Sequence, residues 1–348
     1  MQLPWCPRLA VYASSCIISS MRVSVISTVL DEAESLPQLL DSLAVQTRAP
    51  EEVIICDGGS TDGTLQMLEA ESRFPLRVVR RQGTNISQGR NAAIAAATGD
   101  MIAVTDAGVR LSPQWLEKIT TPFEDRSVQA VAGFFRPDPH TVFETAMGAT
   151  VLPEKREINP RNFLPSSRSV AFRKAAWKAV GGYPEWIDYC EDLIFDTRMR
   201  ILYGPFVFAP EAVVAFRPRP DLRTFWRQYY QYARGDGKTN LWPWQHLARY
   251  AAFLAGPVLL ATGLLLHSWL PVLVSPLTLL GVIALRSLRP WRRLTRMWSD
   301  LSFAHKLQAI LWVPIIRLVG EAAKIFGYPV GVLWRWRHRE QIPDWRKL

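Results

Sequence analysis

The first hundred residues alternate between short apolar runs and amphipathic stretches. Four of the apolar runs have the length and composition of strands, at 23–28, 52–56, 76–80 and 101–105. Three intervening stretches carry apolar residues at helical spacing, over 34–46, 64–72 and 88–97. Such alternation favours an α/β fold with a mostly parallel sheet and helices on both of its faces. We expect Ser87 to cap the third of these helices.

The pattern between 107 and 247 is mixed. It predicts helices over 113–120, over 173–180 and from Glu191 to about Leu202. An aromatic and basic segment follows at 225–238, before the composition changes to strongly apolar. This region therefore belongs with the preceding α/β pattern and not with the apolar part of the chain.

A stretch without Asp, Glu, Lys or Arg runs for 36 residues, from 250 to 285. One helix needs about 20 residues to cross a bilayer, so we expect two short crossings, at 250–266 and 269–285, with a turn over 267–271. A helical hairpin buried in a soluble domain is the alternative. Basic residues border both ends, at Arg249 and at 286–296, which places both ends and the preceding domain in the cytoplasm.

The basic residues are unevenly distributed. The net charge is +10, and clusters beside apolar segments lie at 286–296 and 335–347. Such clusters favour an anionic membrane surface over nucleic acid. The sequence carries no recognition-helix, zinc-finger or RNA-binding pattern, so we expect no nucleic-acid partner.

A third apolar segment, 307–333, carries three charged residues near its middle, Arg317, Glu321 and Lys324. The polar stripe favours a helix that lies along the membrane interface, with Arg317 and Glu321 paired at i, i+4. We therefore expect four regions. They are a leader or dispensable N-terminal extension at 1–21, an α/β domain at 22–247, a transmembrane hairpin at 248–286, and a basic loop, interfacial helix and basic tail at 287–348.

The second apolar run ends on a candidate binding residue, Asp57. Gly58 and Gly59 follow at once, and then Ser60 to Asp62 supply helix-capping side chains. A carboxylate at the carboxyl end of a parallel strand lies where open α/β sheets bind ligands. An ordinary strand-to-helix turn with a capping aspartate is the alternative. The sequence has neither a Walker A loop nor G-x-G-x-x-G, so P-loop and dinucleotide-binding functions lose support.

The order of several short motifs over 22–235 resembles family 2 glycosyltransferases of the GT-A fold. The motifs are Val23-Ser-Val-Ile-Ser-Thr with Asp31-Glu32, Asp57-Gly-Gly-Ser-Thr-Asp-Gly-Thr, Gly89-Arg-Asn-Ala-Ala, Gly99-Asp100 with Thr105-Asp106-Ala-Gly, Gly182-Tyr-Pro, Glu191-Asp192 and Gln231-Tyr-Ala-Arg-Gly-Asp. Each motif alone is weak, and their order and spacing together carry the resemblance. It implies a GT-A sheet that binds a nucleotide-sugar donor, followed by C-terminal membrane helices.

The resemblance also implies roles for particular residues in donor binding. The nucleoside would be held by Thr28, Glu32 and Asp57, and the phosphates by Arg90, Asn91 and Arg234. Lying on the lipid surface is an equal alternative for the segment around Arg234. The family usually has Asp-x-Asp with its last carboxylate on Mg²⁺ or Mn²⁺, whereas this chain has Asp106-Ala-Gly108. Asp106 would therefore bind the ribose or the metal.

For catalysis, the resemblance places the general base at Asp192, with Glu191 beside it raising the pKa of Asp192 by like-charge repulsion. Capping of the following helix is the alternative role for this pair. The expected activity is inverting transfer of a sugar to a lipid, lipid-linked or cell-envelope glycan acceptor at the cytoplasmic membrane, with membrane lipids as partners.

Two other functions stay open at this point. A nucleotidyltransferase would want a Gly-rich loop with Lys or Arg after the first strand, where this chain has Leu30-Asp-Glu-Ala. A catalytically inactive membrane-bound scaffold that binds nucleotide sugars is compatible with the incomplete Asp-x-Asp. Turnover of the donor distinguishes the scaffold from the enzyme.

Overall fold

The computed structural model describes residues 21–347, so the predicted leader lies outside the described residues except for Met21. Two compact units are formed from interleaved segments of the chain. The first contains the described parts of Met1–Arg136, Lys155–Phe216 and Asp344–Leu348, and the second contains Pro137–Glu154 and Arg217–Pro343.

The first unit is built on one eight-stranded sheet. Its strands, in chain order, are β1 Val23–Val29, β2 Glu52–Asp57, β3 Leu76–Arg80, β4 Met101–Val104, β5 Val109–Leu111, β6 Ala130–Pro137, β7 Val170–Arg173 and β8 Val207–Phe216. The order across the sheet is β3-β2-β1-β4-β7-β6-β8-β5. Strands β1 to β4 pair in parallel, whereas β7 pairs antiparallel with both β4 and β6, and β5 with β8. The predicted α/β fold with parallel strands β1 to β4 is confirmed, and the sheet is mixed beyond β4.

Helices cover both faces of the sheet, as the alternating pattern predicts. They are α1 Leu36–Ala44, α2 Thr64–Ala70, α3 Ile86–Ala96, α4 Trp115–Thr120, α6 Lys174–Ala179 and α7 Glu191–Tyr203. Successive strand side chains point to opposite faces. Val25 of β1 accordingly packs with Leu39 of α1 and Trp115 of α4, while Ile26 packs with Ile94 of α3 and Phe195 of α7. These apolar contacts hold the strand ends in fixed positions.

The third predicted helix begins earlier than expected. Helix α3 starts at Ile86, and Asn85, not Ser87, is its N-cap. The Asn85 side chain accepts a hydrogen bond from the backbone N–H of Gln88, and the Gln88 side chain accepts one from the backbone N–H of Asn85. This reciprocal capping box satisfies two N–H groups, which a serine within the first turn does not do.

The second unit is helical. It contains α5 Val142–Val151, α8 Leu222–Thr239, α9 Pro243–Leu265, α10 Trp269–Met297 and α11 Phe303–Arg337. An apolar core joins Met147 of α5, Phe225 of α8, Leu294 of α10 and Val313 of α11. Helices α8 and α11 approach closely because Gly237, Gly327 and Gly331 leave no room there for a side chain.

The apolar stretch forms two helices, and two expectations about its flanks are wrong. The turn between α9 and α10 is shorter than predicted, with Pro271 already inside α10. Residues 287–297, which we expected to be a loop, continue α10 as a helix whose Leu294 enters the core. Both helices are long and apolar enough to span a membrane, and only 17% and 12% of their apolar windows are buried.

The predicted pairing within 307–333 is also wrong. Glu321 pairs with Arg249 of α9 and Arg286 of α10 instead of with Arg317. The Arg317 side chain donates to the backbone carbonyl of Arg286. The polar stripe of α11 therefore faces neighbouring helices, because partners on α9 and α10 are closer than the one on the same helix. Contact of α11 with a membrane interface stays a prediction.

Candidate active site

The loops that follow β1 and β2 are joined to each other by hydrogen bonds. Asp31 accepts a hydrogen bond from the backbone N–H of Thr61 at 2.8 Å, and its own N–H donates to the Ser60 hydroxyl at 3.0 Å. The N–H of Glu32 donates to the Thr64 hydroxyl at 2.8 Å. Because β1 and β2 are parallel, both loops leave the same edge of the sheet. The contacts make a single rigid rim that carries Glu32.

Asp57 is buried beneath this rim and shapes the turn after β2. Its carboxylate accepts hydrogen bonds from the N–H groups of Gly59 and Ser60, each at 3.2 Å. Gly59 has φ of 104°, a conformation that glycine adopts without steric cost. Asp57 therefore has the turn-capping role that the sequence left as an alternative. Its contact with a donor stays a prediction.

Thr28 lies near the end of β1, where α3 approaches the sheet. A Cβ at Gly89 would lie 3.0 Å from the Thr28 Cγ2 atom. Only a residue without a side chain therefore lets α3 come this close to β1. The close approach places Arg90, the next residue of α3, over the ends of the central strands.

Arg90 is the centre of a buried ionic network. Its guanidinium donates to Glu191 Oε1 at 2.8 Å and to Asp106 Oδ1 at 3.0 Å. The same group lies over the Tyr183 ring, 5.3 Å from the ring centroid. These contacts join α3, the loop after β4 and the start of α7. Both ends of the guanidinium are engaged by carboxylates, so Arg90 organises acidic residues in this structure. The phosphate contact predicted for it is untested.

Asn91 fixes the Gly-Tyr-Pro turn. Its amide N–H₂ donates to the Tyr183 carbonyl at 2.8 Å and to the Glu185 carboxylate at 2.7 Å. Its amide oxygen accepts from the Tyr183 N–H at 2.9 Å and from the Trp177 indole N–H at 3.2 Å. The side chain thus uses both donors and its acceptor within the protein. Contact of Asn91 with the nucleotide-sugar donor stays a prediction. The amide N–H₂ and the amide oxygen of Asn91 are already used in hydrogen bonds within the protein.

The acidic pair begins α7. Cys190, the residue before the helix, has φ of 67° and no capping hydrogen bond from its side chain. Asp192 Oδ1 accepts a hydrogen bond from the N–H of Leu193 at 2.9 Å, which is part of a capping role. Burial raises the pKa of Asp192 above its ordinary value. Burial, reinforced by the charge of Asp192, raises the pKa of Glu191 to about 7.

Two residues of the network have no counterpart in the sequence prediction. Arg168 lies 3.4 Å from Asp106 Oδ2 through its Nε atom. Asp196, one turn after Asp192 on α7, is buried, and burial raises its pKa well above the ordinary value. The i, i+4 spacing of Asp192 and Asp196 was visible in the sequence. Arg168 precedes β7 in Ser-Ser-Arg-Ser, which carries no comparable signal.

The network contains more acid than base. Four carboxyl groups, Asp106, Glu191, Asp192 and Asp196, lie with two guanidinium groups, Arg90 and Arg168. Full ionisation would leave an uncompensated negative charge in a buried site, which is costly. The site therefore holds protons or attracts a cation. A carboxylate with a pKa raised toward neutrality suits general-base chemistry.

The described residues do not form a complete metal site by themselves. Within 21–347, no three His, Cys, Asp or Glu residues are grouped closely enough to hold a metal ion. Gly108 offers no ligand, and a Cβ there would lie 3.8 Å from the Ser35 hydroxyl. Asp106 is partly exposed, at 28% of its side chain. Mg²⁺ commonly takes one or two carboxylates and completes its shell with substrate phosphates and water. The residues fit a cation that arrives with a diphosphate.

Comparison with known proteins identifies a domain over residues 24–176. Residues 24–176 match the Glycosyl transferase family 2 sequence profile. Residues 24–176, which make up less than half of the chain, are therefore a family 2 glycosyltransferase domain. It is 25% identical over 229 residues to the glycosyltransferase AglE of Haloferax volcanii, a match that covers 63% of this chain and 74% of AglE.

Other relatives are similar over shorter segments. The undecaprenyl-phosphate 4-deoxy-4-formamido-L-arabinose transferase of Serratia proteamaculans is 32% identical over 111 residues. That match covers 30% of this chain and spans only 34% of the relative. The mannosyltransferase PcManGT from Pyrobaculum calidifontis, solved with GDP-Man and Mn²⁺, shares the fold with a TM-score of 0.54 at 18% identity. The match covers 92% of this chain and 94% of PcManGT.

Arg234 belongs to α8 of the second unit. The contacts described within the first unit bring together Arg90, Asp106, Glu191 and Asp192, with Thr28 and Asp57 at the adjacent strand ends. The diphosphate contact of Arg234 stays a prediction. The matched family transfers glycosyl groups, so the nucleotidyltransferase alternative has no support from the comparisons.

Proposed function

We propose that this enzyme transfers a sugar, with inversion, from a nucleotide-sugar donor to a lipid or lipid-linked glycan at the cytoplasmic face of the cytoplasmic membrane. One observation carries the proposal. A buried carboxylate with a raised pKa, Asp192, lies in the same ionic network as Asp106 at the ends of the central strands. A base and a donor-side carboxylate are thereby held in one rigid frame.

In the proposed reaction, Asp192 takes the proton of the acceptor hydroxyl. The resulting oxygen nucleophile forms a bond to the anomeric carbon, while the bond from that carbon to the diphosphate oxygen breaks on the opposite face. The electron pair leaves with the nucleoside diphosphate. Arg90 holds Glu191 and Asp106 in place during this step. Glu32 faces the nucleoside from the rim, and Asp57 holds the turn beneath the rim. Positioning of this kind supplies a large part of enzymatic rate enhancement.

A divalent cation is consistent with this donor site. PcManGT, which has a similar fold, was solved with GDP-Man and Mn²⁺. When bound, Mg²⁺ or Mn²⁺ would neutralise charge on the leaving diphosphate. Asp106 is the residue that would contact it, and the acid excess of the network supports the arrival of a positive charge. Gly108 removes the second carboxylate, so the phosphates would have to supply further ligands.

We expect nucleotide and metal to bind this chain together. Mn²⁺ alone should bind weakly, whereas Mn²⁺ should raise the affinity for the cognate nucleoside diphosphate by about tenfold, or about 1.4 kcal/mol. Asp106→Asn should lose this increment, because it removes the carboxylate that we propose contacts the cation. Calorimetry with UDP, GDP, dTDP and CDP, with and without Mn²⁺, measures the nucleotide affinities and their increase with the cation.

Asp100→Asn is the matched control. It makes the same change from carboxylate to amide at an exposed residue outside the network. Tight Mn²⁺ binding in the absence of nucleotide would contradict the shared-ligand arrangement. Release of the nucleoside diphosphate from the corresponding nucleotide sugar, in the presence of membrane lipid extract, tests the enzyme itself. Nucleotide-sugar binding without turnover would instead favour the second candidate function, an inactive scaffold. That candidate is based on Gly108, which replaces the last carboxylate of Asp-x-Asp.

The placement at a membrane is supported by how the apolar stretch ends. Arg249 precedes it and Arg286 follows it, and both arginines pair with the one carboxylate of Glu321. The two ends of the stretch are therefore level with each other, as in a hairpin. A relative that is named for undecaprenyl-phosphate adds support for a lipid-linked substrate.

The hairpin makes a prediction about labelling in intact cells. Single cysteines are placed at Ser268, in the turn, and at Arg292, in the basic end of α10, after removal of the four native cysteines. An impermeant thiol reagent should label only the Ser268 position, because arginine-rich flanks stay cytoplasmic. The Arg292 position should label after permeabilisation. Labelling of Arg292 in intact cells would overturn the topology.

A further inference from the structure

A cluster of four cations surrounds one carboxylate in the helical unit. The basic cluster consists of Arg249 on α9, Arg286 on α10, and Arg317 and Lys324 on α11, arranged around Glu321. Glu321 Oε2 pairs with the Nε atom of Arg249, and Glu321 Oε1 lies 3.1 Å from Arg286 NH1. Glu321 is buried, so these arginines are held at fixed positions between three helices.

The other acid of this region is already engaged elsewhere. Asp236 Oδ2 lies 3.1 Å from His246 Nε2, and His246 Nδ1 lies 2.8 Å from Arg249 NH1. A guanidinium can only donate, so His246 Nδ1 accepts from Arg249 and His246 Nε2–H donates to Asp236. This chain of contacts uses the Asp236 carboxylate on the histidine. Glu321 is the carboxylate that makes ion pairs with the basic cluster, and the Asp236 charge also acts on Lys324.

Arg317 and Lys324 are the members of the cluster that make no direct ion pair with Glu321. Arg317 donates through Nε to the Arg286 carbonyl at 3.1 Å, and Lys324 lies over the Tyr229 ring, 5.0 Å from its centroid. Among residues 21–347, neither has a carboxylate within 4.0 Å. Burial, with Arg249 and Arg317 nearby, lowers the pKa of Lys324 to about 8, although Glu321 opposes the shift. The partly dry site thus holds four cations, and Glu321 is the carboxylate that they surround.

The basic cluster lies at the ends of the apolar helices. Arg249 is followed directly by the uncharged stretch of α9, and Arg286 directly follows the uncharged stretch of α10. Arg286 also lies over the Phe253 ring at 5.9 Å, one helical turn into that stretch. If the hairpin spans a bilayer, this is the depth of lipid headgroups, where phosphate is the abundant anion.

We propose that the basic cluster binds the phosphate of an anionic membrane lipid through Arg317 and Lys324, with Arg286 alongside. A phosphate offers several acceptor oxygens to a planar guanidinium and to an ammonium with three donors. Its charge balances the excess that Glu321 leaves. The proposal rests on the membrane placement of α9 and α10 and not on the donor chemistry of the first unit. The phosphate belongs either to a bulk phospholipid or to a lipid-phosphate acceptor.

The test measures binding of fluorescent phosphatidylglycerol to the full chain in a neutral detergent. The double variant Arg317→Gln, Lys324→Gln should bind at least about tenfold more weakly, the scale of losing charge-assisted hydrogen bonds. The control double variant Arg289→Gln, Arg292→Gln removes the same charge from exposed positions of α10 and should change the affinity less than about twofold.

Competitors identify the source of the phosphate. Stronger displacement by dodecyl phosphate, a monoester, indicates a lipid-phosphate acceptor, and stronger displacement by unlabelled phosphatidylglycerol indicates a bulk phospholipid. Equal loss of binding in both double variants would mean non-specific attraction and would overturn the proposal. Displacement by inorganic phosphate as effective as by either lipid would also overturn it.

Lys324→Arg keeps the charge and should retain binding within about threefold. If the double glutamine variant does not fold, the site is tested by comparing Lys324→Arg with the uncharged variant Lys324→Gln. Lipid binding that is equal in Lys324→Arg and Lys324→Gln would reject the site. Nucleotide affinity should be unchanged in all of these variants, because their positions lie outside the donor network. The lipid-binding result therefore does not depend on whether the nucleotide-binding test of the proposed function succeeds.

Discussion

Replacing Asp192 by Asn should lower kcat by about 100-fold or more while leaving nucleotide-sugar affinity near the wild-type value. The amide has nearly the shape of the carboxylate but cannot take the proton of the acceptor hydroxyl. The helix should stay intact, since the amide oxygen can accept the same hydrogen bond from the Leu193 N–H. Steady-state transfer kinetics and calorimetry with the donor separate the two effects.

Asp100→Asn provides the matched control for charge loss, because this exposed residue lies outside the network. Wild-type kcat in Asp192→Asn would remove Asp192 from the mechanism. Reduced donor affinity together with unchanged kcat would instead assign Asp192 to donor binding.

The pH dependence of the transfer activity should reflect ionisation of the carboxyl pair Asp192 and Glu191. Burial raises the pKa of Asp192, and burial with the Asp192 charge raises the pKa of Glu191 to about 7. A base must be ionised to accept a proton, so activity should fall as pH drops through the apparent pKa of the pair. We expect the acidic limb of kcat/KM to lie near neutrality. A limb near pH 4, the range of an exposed carboxyl, would contradict this.

Replacing Arg90 by Met should destabilise the first unit by about 3–5 kcal/mol, the scale of removing one partner from a buried ion pair. Methionine fills much of the volume but leaves Asp106 and Glu191 without the guanidinium that both now contact. For a unit of this size, the loss should lower the unfolding midpoint by about 10 °C or more. Thermal unfolding of the purified chain in detergent measures it.

The loss should depend on pH in a defined direction. Without Arg90, the pKa of Glu191 should rise further in the folded state, so the folded protein binds a proton more readily than the unfolded one. A raised pKa gives stability that is present at low pH and is lost as pH rises through it. The variant should therefore be closer to wild type at pH 5.5 than at pH 8.

Arg126→Met is the control, since Arg126 is exposed and has no ion pair among the described residues. It should change the midpoint by only a degree or two, as expected for a surface substitution. A stable Arg90→Met protein with wild-type activity would remove Arg90 from both the structural and the functional account.

The sequence determined the parts of this protein that depend on local pattern. The parallel strands β1 to β4 and their helices follow from residue spacing, because a strand or amphipathic helix fixes which of its side chains face the core. The apolar stretch between Arg249 and Arg286 predicted two helices because its length and lack of charge are local properties. The ordered motifs likewise led to the family, and the family profile over 24–176 confirmed it.

The tertiary structure alone decided which charged groups meet. Arg90 and Glu191 are 101 positions apart in the chain and are in contact only because α3 and α7 pack on the same face of the sheet. Arg168 meets Asp106 because β7, which Arg168 precedes, pairs antiparallel with β4, which Asp106 follows, and the local sequence of Arg168 carries no signal of this contact. The pairing expected between Arg317 and Glu321 failed because a helical spacing permits a contact without excluding a better partner on another helix. Arg249 and Arg286, held against Glu321 by packing of α9 and α10 on α11, are those partners. Local pattern fixes which face a side chain is on, whereas the partner it finds there depends on long-range packing.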